Sequence, residues 1–231
     1  MKVIAIHQPN YIPWLGYFYK ISQSDCFVFL DDAQFSNEGM HNFNYIKTSN
    51  GRLRLKVPVK QTLGDAIMNV KTRDELGWKQ KHLDLIQNNY QNSAFFPEVF
   101  SDFRSLLLDD YESLSFLNEA LIKEFCRKLG IVTEFIRSSS LNVKTKREER
   151  IIDICSRLNG DTYLSGTGAM AYQKEENFES KGIRLKYSVY STFEYTQLWE
   201  GFYPNVTILD YLFNCGYDWQ NVLKHQNGKE D

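Results

Sequence analysis

Chemically capable side chains follow the first two apolar runs of the chain. His7 comes directly after residues 3–6, and the pair Asp31 and Asp32 closes residues 26–30. An imidazole titrates near neutral pH and can act as a general base. A carboxylate beside it can orient the ring, accept a proton or contribute to a metal site. We therefore predict that His7, Asp31 and Asp32 are catalytic; the alternative is a turn histidine with solvated acids.

Polar and aromatic residues suited to binding lie close to these candidates in the sequence. Amide side chains can hold a carboxylate, an amide or a sugar hydroxyl. Flat aromatic faces stack on sugars or bases, although they also fill cores. The small-residue turn at residues 163–168 can present backbone N–H groups to an anion at a helix start. The predicted substrate-binding residues are Gln8, Asn10, Tyr11, Trp14, Tyr163, Ser165 and Gly166.

A second polar stretch, residues 138–150, combines three serines with Lys144, Lys146, Arg147 and Arg150. Such a basic helix start can meet the phosphate of a nucleotide sugar. Glu148 and Glu149 lie within it, so we interpret the stretch as a solvated helix surface.

The strands that precede the candidate residues must end at one edge of a sheet. Residues 3–6 and 26–30 are continuous apolar runs typical of buried strands, and residues 17–22 between them predict a short helix. In open α/β sheets, ligands bind outside the carboxyl ends of the strands. If the two strands are parallel, His7 and the Asp31-Asp32 pair face one cleft.

The rest of the chain alternates between strand and helix patterns. Strands are predicted at residues 45–47 and 51–59, which form a hairpin, and at 67–70, 133–138, 162–164 and 183–190. Helices are predicted at residues 78–90, 97–107, 113–129, 144–158, 169–172 and 207–213, with a frayed polar tail at 225–231. This order predicts an α/β fold, with a mostly parallel sheet flanked by helices and a small β-hairpin insertion on that sheet. We expect one domain over residues 1–231.

Composition excludes several classes of function. The 231 residues carry a formal net charge of −2, which argues against a dedicated DNA-binding protein. The four cysteines are scattered without metal-ligand spacing, so we expect no metal site, no disulfide framework and a cytoplasmic location. No apolar run is long enough to predict membrane insertion. No motif indicates a tightly bound cofactor.

Three motifs together resemble the WbqC-like family: HQPNYIPWLGYFYKI, DCFVFLDDAQF and DTYLSGTGAMAY, continuing to TILDYLFNCGYDW. The resemblance implies a role in O-antigen or other surface-polysaccharide (lipopolysaccharide) biosynthesis. It implies an acyl- or aminoacyltransferase, with glycyl transfer included, acting on an amino sugar that is nucleotide-linked. His7 would deprotonate the attacking amine, and Asp31 or Asp32 would hold the imidazole or the ammonium. The acyl donor is unknown; an aminoacyl-tRNA or a thioester would serve.

Two alternatives remain open. The first is a nucleotidyl- or adenylate-forming enzyme, because the chain faintly resembles the α/β superfamily with the HxGH signature. The aligned residues here are Trp14, Leu15, Gly16 and Tyr17, so both histidines are missing. The second is a non-catalytic sugar-binding assembly protein, which the many aromatic residues and the lack of a cofactor motif also suit.

Overall fold

The computed structural model describes residues 1–227. The chain divides into two compact units. The first comprises Met1–Pro9, Gly16–Ala33 and Ile131–Tyr190, and the second comprises Asn10–Leu15, Gln34–Gly130 and the residues from Ser191 onward. The single domain expected from the sequence stays a prediction.

Strands and helices alternate along much of the chain. The strands are β1 (Val3–His7), β2 (Cys26–Phe29), β3 (Phe43–Thr48), β4 (Gly51–Lys56), β5 (Val59–Lys60), β6 (Lys71–Thr72), β7 (Glu134–Arg137), β8 (Thr162–Gly166) and β9 (Arg184–Ser188). The α-helices are α1 (Leu15–Ser22), α2 (Trp78–Tyr90), α3 (Phe96–Leu108), α4 (Leu114–Lys128), α5 (Arg147–Arg157), α6 (Glu175–Glu179), α7 (Ile208–Cys215) and α8 (Trp219–Asn227). Short 3-10 helices span Ile67–Asn69, Asp74–Leu76, Ser138–Leu141 and Thr167–Tyr172.

The first unit is built on a five-stranded parallel sheet in the order β7-β2-β1-β8-β9. All four residues of β2 are buried, as expected for a parallel strand covered on both faces. One side of the sheet packs a core that includes Ile4, Val28, Ile154 and Phe178. The predicted α/β class with a mostly parallel sheet is confirmed.

The strand order contains a topological switch point. From β1 the chain first adds β2 and β7 on one side of the sheet, and then β8 and β9 on the other. Connections therefore leave β1 and β8 in opposite directions, which opens a crevice at the carboxyl ends of these two strands. Doubly wound folds bind their ligands in such a crevice. The fold places the end of β1, with His7, at one wall of it.

The second unit contains the predicted hairpin. Strands β3 and β4 pair antiparallel, from Phe43 opposite Lys56 to Thr48 opposite Gly51, and form a separate two-stranded sheet. The predicted small β-hairpin is therefore confirmed, and it forms a sheet separate from the parallel one. The unit also holds α2, α3, α4, α7 and α8.

Two local predictions for the second unit are wrong. Residues 67–70, predicted as a strand, form a 3-10 helix, in which the Val70 amide donates to the Ile67 carbonyl at 3.1 Å. The polar tail continues in α8 through residue 227, because Trp219, Val222 and Gln226 are buried along one face. Residues 228–231, the rest of the predicted frayed tail, lie outside the described residues.

Within residues 1–227, no helix combines the length and the apolar character needed to cross a membrane.

Candidate functional site

The crevice at the carboxyl ends of β1 and β8 is a cavity of about 680 Å³ within the first unit. This volume lies in the usual range for small-molecule sites, roughly 300–1,000 Å³. We call it the switch-point cavity. Its lining residues are Ile6, His7, Gln8, Leu30, Arg147, Glu148, Ile151, Tyr163, Ala169, Tyr172 and Gln173.

The His7 imidazole is oriented by its own loop. Its Nδ1 lies 3.0 Å from the Gln8 carbonyl oxygen. A carbonyl can only accept, so Nδ1 carries the proton and the basic lone pair is on Nε2. The Tyr17 hydroxyl donates to the same carbonyl at 3.0 Å. The Tyr17 ring also packs edge-on against the imidazole, with 4.8 Å between the ring centroids. His7 is therefore held in the tautomer that a general base needs.

Helix α1 supplies a second support that the sequence did not reveal. Lys20 is 5% exposed, and its ammonium donates to the Ile6 carbonyl at 2.8 Å. Burial lowers the pKa of Lys20 to about 7. A lysine on a short amphipathic helix is ordinarily a surface residue, so nothing in the sequence indicated that Lys20 is buried. Lys20 fixes the end of β1 just before His7.

The two carboxylates that follow β2 are engaged by the segment that follows β7. Asp31 is buried and accepts from the Ser139 amide at 3.0 Å and the Ser139 hydroxyl at 2.6 Å. Ser138 lies in hydrogen-bond contact with both Asp31 and Asp32. Asp32 also forms an ion pair with Arg150. Neither carboxylate is among the residues that line the switch-point cavity. The catalytic role of Asp31 and Asp32 stays a prediction.

Arg147 lies at the start of α5 and lines the cavity, although the sequence suggested a solvated surface. Its backbone adopts φ 56°, a left-handed conformation that is uncommon outside glycine. Glu148 does not neutralise it, because that carboxylate accepts from the Lys174 amide at 2.8 Å and from Asn177. Within the described residues, Arg147 forms no ion pair. The sequence showed that Glu148 could balance the charge of Arg147, but not that the start of α6 already engages this carboxylate.

The opposite wall comes from β8 and the 3-10 helix after it. Tyr163 is buried and stacks on Phe178 at 5.5 Å between ring centroids. Burial raises the pKa of Tyr163 to about 12, while hydrogen bonds with Ser165 and Gln173 oppose that rise. The Gln173 Oε1 atom is buried and has no hydrogen-bond partner in the described part of the chain. This wall therefore presents an acceptor that a ligand hydroxyl or N–H can satisfy.

The remaining predicted site residues of the first unit lie at the end of β8 without lining the cavity. Ser165 is buried, and its hydroxyl donates to the Gly166 carbonyl at 3.3 Å. Gly166 precedes the 3-10 helix Thr167–Tyr172, and a Cβ at this position would meet nothing within 4 Å. The structure thus brings His7, Gln8 and Tyr163 together around one cavity.

Asn10, Tyr11 and Trp14 belong to the second unit. Tyr11 is fully buried, and its hydroxyl donates to His82 Nδ1 at 2.9 Å. The predicted substrate-binding role of Tyr11 stays a prediction. Asn10 and Trp14 are both partly buried.

Comparisons with known proteins cover both units. The model of the WbqC-like protein family matches residues 8–221. The chain is also 35% identical over 229 residues to the uncharacterized protein Rv1507c of Mycobacterium tuberculosis (strain ATCC 25618 / H37Rv). That alignment covers 97% of this chain and 99% of the relative. The relative's name states no activity.

Proposed function

Because the chain belongs to the WbqC-like protein family, we propose that it is an acyl- or aminoacyltransferase, with glycyl transfer included. Its acceptor is the amino group of a nucleotide-linked sugar. The reaction belongs to the biosynthesis of O-antigen or another surface polysaccharide. One observation carries the proposal: a histidine with its lone pair on Nε2 lines a cavity of about 680 Å³ at the switch point of a parallel sheet.

The chemistry assigned to His7 is to carry one proton from the attacking amine to the leaving group. The sugar amine attacks the acyl carbonyl carbon, a C–N bond forms, and the bond between the acyl carbon and its leaving group breaks. The nitrogen gives up a proton to His7 Nε2, which returns it to the leaving thiolate or alkoxide. The donor is a thioester or an aminoacyl ester of tRNA. The Gln8 side chain is the proposed donor to the developing oxyanion, with the Ser165-Gly166 turn as the other predicted donor.

Acceptor binding is assigned to the polar lining of the same cavity. Arg147, exposed and without an ion pair within the described residues, can bind a phosphate of the nucleotide. Gln173 Oε1 can accept from a sugar hydroxyl. Leu30, Ile151 and Ala169 supply apolar surface for the sugar ring. The side chains that bind are thus distinct from the side chain that moves the proton.

One observation favours nucleotidyl transfer as a second candidate. The strand order places the cavity at a switch point, where doubly wound folds bind nucleotides. This candidate predicts that a nucleoside triphosphate is cleaved with release of pyrophosphate, whereas acyl transfer releases a thiol or a deacylated tRNA. Product identification separates the two.

The test begins with titration of the full chain with UDP- and dTDP-linked amino sugars by calorimetry. A sugar that binds is then incubated with acyl-CoA or glycyl-tRNA, and the products are identified by mass spectrometry. We expect His7→Asn to bind the acceptor normally and to lower turnover by roughly 10²–10⁴-fold. Arg147→Gln should weaken acceptor binding. Lys181→Gln, at an exposed position of the first unit outside the cavity, should change neither quantity.

Normal turnover in a folded His7→Asn protein would remove His7 from the mechanism. Binding of the acceptor without any product from either donor class would favour the non-catalytic sugar-binding protein.

A further inference from the structure

A second cavity, of about 640 Å³, lies entirely within the second unit. It is formed by β4, the segment that leads to β5, and the start of α2. We call it the basic cavity. Four of its lining side chains are cationic, and none of its lining residues in the described chain is acidic. The full lining is Asn37, Asn42, Arg54, Lys56, Pro58, Val59, Gln61, Arg73, Leu76, Trp78, Lys81, His82 and Leu85.

Three of the four cations have no acidic partner. Arg54, Lys56 and Lys81 are exposed, and none of them forms an ion pair with any residue of the described chain. Arg73 is the exception, since its Nε lies 2.9 Å from Glu75 Oε1. Like charges that converge on one concave surface raise the local potential and attract an anion.

The carboxylate of Asp74, just before α2, is already occupied. Asp74 accepts from the Trp78 indole at 2.8 Å and forms an ion pair with Lys79 at 2.9 Å. It therefore does not neutralise the three free cations. The Arg54 guanidinium lies 3.7 Å from the centroid of the Phe43 ring, which holds it over the hairpin.

The floor of the basic cavity contains an unsatisfied acceptor. Asn42 is 0% exposed, and its Nδ2 donates to the Val57 carbonyl at 2.9 Å. Its Oδ1 has no hydrogen-bond partner among the described residues. Buried polar atoms without partners are rare, so this oxygen marks a place where a ligand O–H or N–H can donate. The site thus combines cations at its rim with an acceptor at its base.

His82 contributes no charge to the cavity. Its Nδ1 accepts from Tyr11, a hydrogen bond joins the ring to the Lys56 backbone, and burial lowers the pKa of His82 to about 4. The positive charge of the cavity therefore comes from the lysines and arginines.

We propose that the basic cavity binds a nucleoside diphosphate group. The three unpaired cations match a diphosphate, and Asn42 Oδ1 accepts from a hydroxyl or N–H of the nucleoside. The volume lies within the range of small-molecule sites. The inference does not rest on the proposed function, because the basic cavity shares no residue with the switch-point cavity.

The test is calorimetric titration of the full chain with UDP, inorganic pyrophosphate and uridine. The protein carries Arg147→Gln, so that binding in the switch-point cavity does not mask the signal. We expect UDP to bind more tightly than pyrophosphate and far more tightly than uridine, with an affinity that falls as salt is added.

Adding Lys56→Gln and Lys81→Gln should weaken UDP binding by about tenfold or more, because each removes a charge-assisted contact to phosphate. The matched control, Lys71→Gln with Lys224→Gln, removes the same charge from exposed positions of the same unit outside the cavity. It should change the affinity by less than about twofold, since exposed charges outside the cavity are screened by salt.

Three outcomes would overturn the proposal: no UDP binding in the Arg147→Gln protein, equal losses in the two double variants, or tight binding of a single-stranded RNA oligonucleotide without binding of UDP. The last result would assign the cations to a nucleic-acid surface. None of these results bears on His7, so failure here is distinguishable from failure of the acyltransferase proposal.

Discussion

The buried Lys20 should make the stability of the protein depend on pH in a specific direction. Burial lowers its pKa from 10.5 to about 7. Each pKa unit corresponds to ~1.36 kcal/mol, so keeping this ammonium charged in the folded state costs about 5 kcal/mol. Between the two pKa values the unfolded chain binds more protons than the folded chain, so the lysine's contribution to stability rises with pH. Below pH 7 both states are protonated and the full cost applies.

Lys20→Met isolates this effect, because methionine has a similar length and no charge. We expect the free energy of unfolding of the wild type, minus that of the variant, to rise by about 3 kcal/mol between about pH 7 and about pH 9.5. The lost hydrogen bond to the Ile6 carbonyl shifts this difference by a constant amount and leaves its slope unchanged. Groups that titrate identically in both proteins cancel.

Urea unfolding followed by tryptophan fluorescence measures both proteins at each pH. The exposed Lys186, on β9 of the same unit, offers a control in Lys186→Met, for which the difference should not vary with pH. A flat difference for Lys20→Met over the same range would show that the ammonium is not desolvated beneath the end of β1.

Three further substitutions test the contacts described above by their effect on the free energy of unfolding. Tyr11→Phe leaves the Nδ1 of His82 buried without its donor and should cost about 1–3 kcal/mol. Asp31→Asn replaces a carboxylate oxygen that accepts from the Ser138–Leu141 segment with an NH₂ group, and should cost about 2 kcal/mol. Gly160→Ala would place a Cβ against the Ile4 side chain and should cost about 1–3 kcal/mol through overpacking.

Each of these substitutions has a matched control at an exposed position. Tyr172→Phe, Asp110→Asn and Gly168→Ala make the same chemical changes, and a Cβ at Gly168 would meet nothing within 4 Å. The controls should stay within ~0.5 kcal/mol of the wild type. A loss in any control equal to that of its partner would refute the contact assigned to that partner.

Local order was largely determined by the sequence. The apolar runs at residues 3–6 and 26–30 became β1 and β2, and the spacing of apolar residues predicted α2 with its observed bounds, Trp78–Tyr90. Ser113, at the predicted start of α4, caps it by accepting from the Phe116 amide at 3.5 Å. Such features depend on neighbours within one or two turns, so periodicity and cap residues report them directly.

Where the local sequence pattern was ambiguous, tertiary contacts determined the secondary structure. Residues 67–70 have the apolar composition of a strand, yet Val70 accepts from the Leu114 amide at 2.8 Å while its own amide closes a 3-10 turn. The polar composition of residues 225–227 indicated a frayed tail, but His225 stacks on Phe193 at 4.2 Å between ring centroids. A partner distant in sequence leaves no trace in the local pattern.

The candidate site also combines residues that the sequence indicated with contacts that only the tertiary structure determined. The sequence alone indicated His7, Gln8 and Tyr163, because each lies within or directly after a strand that ends at the predicted ligand-binding edge. It could not indicate that Asp31 bonds to Ser138, 107 residues away, or that Glu148 is occupied by α6 and leaves Arg147 unpaired. Strand order and the burial of Lys20 depend on which segments pack together, and the free energy of that packing comes from contacts between residues distant in the chain. The sequence thus determined which side chains stand at the strand ends, and only the tertiary structure decided which of them share a cavity and which are neutralised.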